Sequence, residues 1–331
     1  MTRYIARRFL YMIVLLAMIS VAAFAIMQLP PGDFVEALVT RMELFTGVQM
    51  TEEAVQALRR QYGVDRPMVA QYLRWAGNLV QGDLGRSYLY EKPVAEIIAA
   101  RLPLTMLVAF FTMMFTYAVA VPIGIYSATH QYSIVDYTVT AVGFVGLATP
   151  NFLLAIILMF LLFKYFDFTA VGLFSTDFAD QPWSWAKFVD MLKHLPIPVV
   201  VVGTAGTAGL IRVLRATVLD ELGKQYVITA RAKGVAEKRL LFKYPVRIAI
   251  NPLVSTIGWT LPWIFSGSAI TSIVLNLPTM GPILFEGLLR QDMQLGGSII
   301  MILAGLTVIG TFISDLLLVW VDPRIRLLDS R

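Results

Sequence analysis

Six stretches of eighteen or more residues in this chain contain no Asp, Glu, Lys or Arg, and they constrain its fold more than any other feature. They run 9–32, 102–135, 137–163, 194–211, 248–285 and 293–314, and each is rich in Leu, Ile, Val, Phe, Ala and Gly. A bilayer core about 30 Å thick needs roughly 20 apolar residues per helix and rejects charge at its centre. One transmembrane helix is expected in each stretch. The expected fold is therefore an all-α integral membrane protein with six transmembrane helices. Composition agrees, since 57% of the 331 residues are hydrophobic and 15% are charged, which does not suit a water-exposed surface.

The first stretch has a second reading. Arg3, Arg7 and Arg8 precede an apolar run, as in a signal peptide. The run from Phe9 to Leu29 is longer than a usual signal core, however, and ends in Gln28-Leu29-Pro30-Pro31 rather than in small residues suited to cleavage. The anchored reading is preferred. Cysteine is absent, which excludes disulfides and thiolate metal sites. His130 and His194 are the only histidines and lie near membrane boundaries, where they read as interfacial polar residues rather than metal ligands.

With six spans both termini share a side. Starting inside, the N-terminus, residues 127–138, 212–247 and the tail from Asp315 carry fifteen basic residues against seven acidic. The opposite side carries twelve basic and fifteen acidic residues over about twice the length. Short cytoplasmic loops hold the Lys/Arg excess, so the orientation is N-in, C-in. The pI of 9.4 follows from topology, and nucleic acid is not an expected partner.

The chain then divides into an N-terminal span over 1–29, an external, periplasmic-side helical segment over 30–103, and a five-span core over 104–331. In the external segment, residues 51–62 begin with Thr51 as N-cap, place Glu52 and Glu53 in the first turn and Arg59 and Arg60 in the last, and stop at Gly63. A second helix is expected from Pro67 to Val80, where Val69, Tyr72, Leu73, Ala76 and Leu79 recur at helical spacing. Gly82-Asp83-Leu84-Gly85-Arg86-Ser87 breaks it. Asp83, Gly85 and Arg86 form either an outer gate or binding-protein contact, or a tight structural turn.

Loop 212–247 differs in kind. It holds nine Lys or Arg against three acids. Val213, Leu214, Val218, Leu219 and Leu222, then Tyr226, Val227 and Ala230, fall at three- and four-residue steps, the pattern of an amphipathic helix. Gly223 and Gly234 permit bends. Such a loop can rest on anionic lipid or dock a cytoplasmic partner, and its length and periodicity favour docking.

Tyr226-Val227-Ile228-Thr229-Ala230-Arg231-Ala232-Lys233-Gly234, followed by Tyr244-Pro245-Val246-Arg247-Ile248-Ala249-Ile250-Asn251-Pro252, resembles the EAA loop of binding-protein-dependent ABC importer permeases. The peptide permease branch, specifically its first subunit, is the most similar. Further anchors are Pro31-Gly32-Asp33, Tyr62-Gly63-Val64-Asp65-Arg66-Pro67, Gln71-Tyr72-Leu73, the 82–87 motif, Arg101-Leu102-Pro103 and Asp322-Pro323-Arg324-Ile325-Arg326. The resemblance covers nearly the whole chain. The generic motif has Glu-Ala-Ala where this chain has Ile228-Thr229-Ala230, and residues 172–194 form a longer loop than in typical peptide permeases. Relatives of this branch also resemble carriers of oligosaccharides, nickel and other solutes.

The resemblance implies a type I ABC importer permease architecture, a second homologous permease subunit, two ATPase subunits and an extracytoplasmic substrate-binding protein, besides membrane lipid. It implies that Tyr226, Thr229, Ala230, Arg231, Ala232, Lys233 and Gly234 couple to the ATPase, and that ATP and Mg are bound there and no cofactor by this chain. The sequence agrees in having no phosphate loop, Gly223-Lys224-Gln225 being the only Gly-Lys pair.

Within the apolar stretches, Gly203, Gly206 and Gly209 with intervening Thr and Ala form a surface that lets another helix approach, by packing or as pathway lining. Thr149, Pro150 and Asn151 interrupt the third stretch, where the Asn could pair a carbonyl that Pro leaves free. Trp259, Trp263, Ser266 and Ser268, with Thr260, Pro262 and Thr271, make a face too polar for lipid. These two faces are the candidate pathway lining. Asp315 reads as an interfacial anchor beside Arg324 and Arg326 rather than a proton relay. An ion-coupled secondary carrier would carry several intramembrane ionisable groups or paired broken helices, and an intramembrane enzyme would carry paired catalytic groups; neither pattern is present.

Overall fold

The computed structural model describes residues 2–29, 32–257, 260 and 269–321. Trp259, Trp263, Ser266 and Ser268, together with Pro262 and the Asp322–Arg326 motif, lie outside the described residues. Among the described residues the chain is helical, and its one extended pairing is an isolated bridge between Arg86 and Pro93. Four helices are long and apolar enough to cross a membrane: Arg7–Gln28, Val94–Thr129, Trp185–Leu222 and Met293–Leu318. A fifth candidate is a helix pair, Ile134–Ala148 and Asn151–Phe166, bent by 105° at its break. The third apolar stretch is therefore not the single straight helix expected of it. Residues ahead of a proline avoid the helical region, and Thr149 (φ −85°, ψ 120°) is extended there. The Thr149 hydroxyl donates to the Val145 carbonyl at 2.8 Å and its N–H to the same oxygen at 2.9 Å, so Thr149, rather than Asn151, closes the broken end.

The chain forms two compact units. The first comprises Met1–Pro103 and Thr279–Leu306. It contains α1 (Thr2–Gln28), α2 (Phe34–Thr46), α3 (Glu52–Tyr62), α4 (Met68–Val80), and the start of α5 (Val94–Thr129). Late in the sequence it adds Met280–Leu289 and the first turns of the helix Met293–Val321. Helix α3 has the expected ends: the Thr51 hydroxyl accepts from Ala54 N–H at 3.4 Å, and Gly63 closes it at φ +71°. Helix α2 is an addition that the apolar spacing did not suggest, capped by Asp33, which accepts from Glu36 N–H at 2.8 Å. Val94 and Ile98 of α5 pack with Met280, Ile283, Leu295 and Ile299. A Cβ on Gly287 would come within 3.3 Å of the Gly296 nitrogen, so two helix backbones meet there because both residues lack side chains.

The second unit comprises Leu104–Pro278 and Thr307–Arg331. It holds the rest of α5, α6 (Ile134–Ala148), α7 (Asn151–Phe166), α8 (Trp185–His194), α9 (Pro196–Leu222), α10 (Gln225–Ala232), α11 (Glu237–Lys243), α12 (Pro245–Ala249) and α13 (Ala269–Val274). Completing the series, Met280–Leu289 is α14 and Met293–Val321 is α15. A Cβ on Gly203 of α9 would lie 2.7 Å from Phe115, and one on Gly146 of α6 would lie 2.9 Å from Thr204. Those two glycines are contact points between helices, whereas Gly209 has open space around it. The long loop before α8 folds onto that helix. Buried Lys187 donates to the Ala179 and Gln181 carbonyls at 3.0 and 2.6 Å, and Asp190 accepts from Ser175 N–H at 2.7 Å. His194 is buried against Asp190 and the Phe168 ring. Its neighbour Asp190 is one carboxylate, and no cluster of three metal-ligating side chains occurs among the described residues.

Candidate functional site

The candidate coupling loop starts as an extension of α9. That helix runs eleven residues past the end of the apolar stretch, from Arg212 to Leu222. Leu214 and Val218 are fully buried with Val246, Ala249 and Leu253, which holds the stem of the loop to the chain that returns from it. On the same stem Arg215 reaches Asp136 at the start of α6. Its Nε and one terminal nitrogen each donate to a carboxylate oxygen at 2.9 Å, and Tyr132 N–H donates to the same carboxylate at 3.0 Å. Asp136 is 3% exposed and the Arg215 side chain 30%, so this is a bidentate, charge-assisted pair whose carboxylate is buried and whose guanidinium reaches solvent.

Gly223 ends α9, and α10 starts two residues later. Val227 and Ala230, three apart and so on one helical face, are buried with Leu240 of α11, while Val235 and Tyr244 pack at the edge. Gly234 takes φ +76°, a region that glycine enters without steric cost. There its N–H donates to the Arg231 carbonyl at 3.0 Å, and Val235 N–H reaches the Ala230 carbonyl at 3.3 Å, satisfying carbonyls that a helix end would leave free. The chain then turns back into α11. Arg231 clamps that turn with a two-point contact to Glu237 at 2.5 and 3.1 Å, and the guanidinium holds the Glu237 carboxyl below its ordinary value. Tyr226 donates to the Glu221 carboxylate at the end of α9. Burial, and then that carboxylate, push its phenol above the usual range.

Of the seven expected coupling residues, the structure brings all into one helix–turn–helix but gives them different tasks. Tyr226, Arg231 and Gly234 hold the loop's own shape. Ala230 is turned into the loop's core, because the 227/230 face is the one that α11 covers. Thr229, Ala232 and Lys233 are exposed, as is Ile228 at 47%. Lys233, Lys238 and Arg239 make no ion pair among the described residues. The exposed residues of the loop thus include the apolar Ile228 and three cations, Lys233, Lys238 and Arg239.

The other candidates separate from this loop. Thr149 and Asn151 are half-buried and Pro150 exposed, at the α6/α7 bend. Asp83 is exposed and accepts from the Gly85 N–H at 2.9 Å, an Asx turn. Arg86 donates to the Glu91 carbonyl. Gly85 sits at φ +72°, where an added Cβ would lie 2.5 Å from Gln294 Oε1. Asp315 is half-buried, and Arg324 and Arg326 lie outside the described residues. Three groups escaped the sequence reading: Asp136 with Arg215, Glu221 as the partner of Tyr226, and Asp292. The last is fully buried and accepts from Ser87 Oγ at 2.6 Å, Leu89 N–H at 3.0 Å and Leu295 N–H at 3.0 Å. Asp136 did leave a signal, as the single charge separating two long apolar stretches.

Residues 120–327 match the family described as "Binding-protein-dependent transport system inner membrane component", and residues 1–109 match the corresponding N-terminal family. The chain is 35% identical over 330 residues to the oligopeptide transport system permease protein AppB of Bacillus subtilis, covering 98% of this chain and all of that one. It is 29% identical over 342 residues to the dipeptide transport system permease protein DppB of Escherichia coli, covering 98% and 99% of the two chains. A di/tripeptide permease of Pseudomonas aeruginosa is similar to the same degree, 29% over 342 residues. These relatives are permease subunits of transport systems, not enzymes. With its apolar helices and this match over most of its length, the chain is a multi-pass membrane protein and belongs to the binding-protein-dependent transport system inner membrane component family.

Proposed function

We propose that this chain is one permease subunit of an ATP-driven importer and forms part of the membrane pathway for peptides. The observation that carries the proposal is similarity over 98% of the chain to an oligopeptide permease. In this reading it has six spans with both termini inside, the segment 30–103 outside, and the 212–247 loop in the cytoplasm. A second homologous permease pairs with it, two ATPase subunits bind ATP and Mg below, and an extracytoplasmic binding protein delivers the solute. The exposed face of α10, with Ile228, Thr229, Ala232 and Lys233, docks on the ATPase. Tyr226, Arg231 and Gly234 keep that face rigid, so that ATPase movement reaches α9. Thr149, Pro150 and Asn151, with the polar face around Trp259, Trp263, Ser266 and Ser268, line the pathway.

Uptake of a labelled di- or tripeptide in cells lacking this gene, with and without its return on a plasmid, tests the proposal. Restored uptake that disappears when the ATPase is inactivated is the expected result. Uptake of an oligosaccharide but no peptide would replace the cargo and keep the machinery. Transport by the chain along an ion gradient without ATPase would replace the machinery.

A further inference from the structure

We propose that a cavity of about 240 Å³ in the first unit is a binding site for the free carboxylate of a small solute, such as the C-terminus of a short peptide. Its walls come from the end of α1, from α2, α3 and α4, from the turn after α4, and from residues 291–294. What distinguishes it is that two guanidinium side chains, Arg74 and Arg86, line it against a single carboxylate, Asp33. Arg74 lines it and makes no ion pair or hydrogen bond among the described residues. Arg86 also lines it, and its one hydrogen bond is to a neutral backbone carbonyl, so its charge is not offset. Trp75 lines it too, 4% exposed, and its indole N–H has no partner among the described residues.

The carboxylate already present cannot serve these donors. Asp33 caps α2 and is paired with Arg59 at 3.3 Å. A buried N–H without an acceptor costs about 1–3 kcal/mol, which an incoming acceptor would relieve. The two guanidinia in the same lining, neither of them ion-paired, favour an anionic acceptor. Tyr88 adds a hydroxyl whose pKa burial raises above its ordinary value. The Phe34, Tyr62 and Tyr88 rings, 4.9 to 5.2 Å apart between centroids, supply an apolar wall. Inorganic phosphate has no use for that wall, whereas an amino-acid side chain or methyl group does. The choice of a peptide as carrier rests on the proposed function; the carboxylate does not.

The test is calorimetric titration of the full chain with its partner permease in lipid nanodiscs, without binding protein or nucleotide. Dialanine, dialanine amide and inorganic phosphate are the probes. Dialanine should bind, its amide at least tenfold more weakly, and phosphate should not compete. Arg74→Gln should weaken dialanine at least tenfold and Arg74→Lys less, with thermal unfolding unchanged in both. Trp75→Phe, which keeps the ring and removes the donor, should weaken it severalfold. Absence of dialanine binding, equal binding of the amide, effective competition by phosphate, or an unaltered Arg74→Gln protein overturns the site. Peptide uptake measured in parallel separates the two claims. Uptake without binding in this cavity removes the site and leaves the importer reading, while binding without uptake does the reverse.

Discussion

Asp136 and Arg215 are 79 residues apart in sequence and within hydrogen-bond distance at two points. The carboxylate is buried while the guanidinium is 30% exposed, so desolvation of Asp136 offsets part of the attraction, yet removing one partner takes a charge-assisted contact from the other. Asp136→Asn should therefore destabilise the detergent-solubilised chain by about 1–3 kcal/mol, read as a fall in its unfolding temperature. Arg215→Gln should do the same, and the double variant should recover part of the loss in a double-mutant cycle. Additive losses would mean that the two residues do not depend on each other. The sequence marked Asp136 only as a boundary between apolar stretches, since a partner that far along the chain is brought near by tertiary packing. Gly234 was legible for the opposite reason, because a left-handed helix stop is a local requirement. Gly234→Val should cost about 1–2 kcal/mol of loop stability, while Gly234→Asn, which tolerates that region, should cost less; limited proteolysis of the loop distinguishes them.

At the scale of one element, α10 shows what periodicity conveys and what it leaves open. The three- and four-residue spacing of Tyr226, Val227 and Ala230 identified an amphipathic helix, but spacing cannot say which face packs on the helix's own chain. That depended on Leu240, thirteen residues past Val227, and on a turn at Gly234 that folds α11 back. The consequence is a pair of substitutions with opposite signatures. Ala230→Leu overpacks the core shared with Leu240 and should destabilise the loop by about 1–3 kcal/mol, visible as faster proteolysis. Ala232→Leu adds bulk to an exposed position and should leave proteolysis unchanged, yet reduce copurification of the ATPase tenfold or more, because even 1.4 kcal/mol at an interface is a factor of ten. If Ala232→Leu copurifies normally and transports normally, the exposed face of α10 is not the docking face. Lys233, Lys238 and Arg239 then act on lipid phosphates, and the loop loses its coupling role.

For the whole molecule, four of the six charge-free stretches coincide with long apolar helices, one is broken at Pro150, and 248–285 lies partly outside the described residues. Stretches 9–32, 102–135, 194–211 and 293–314 each fall within one of the four long apolar helices or largely overlap it. Stretch 137–163 became a pair bent by 105°, which hydropathy cannot anticipate because both halves are apolar. A broken span and a re-entrant pair are two ways to seat such a bend, and they give different topologies downstream. If α6 and α7 together cross, the loop around Trp183 is external and the 212–247 loop is cytoplasmic, as the fifteen-to-seven excess of basic over acidic residues on the inner side requires. If the pair enters and returns on one side, Trp183 becomes cytoplasmic, α8 and α9 cross in the reverse sense, and nine Lys and Arg of the loop face outward. Reporters fused after Gln61, Trp183 and Arg231 separate the two cases, Gln61 being external in both. Trp183 external with Arg231 cytoplasmic is the expected result. A cytoplasmic Trp183 together with an external Arg231 would assign the bend to a re-entrant pair and place the docking loop out of an ATPase's reach.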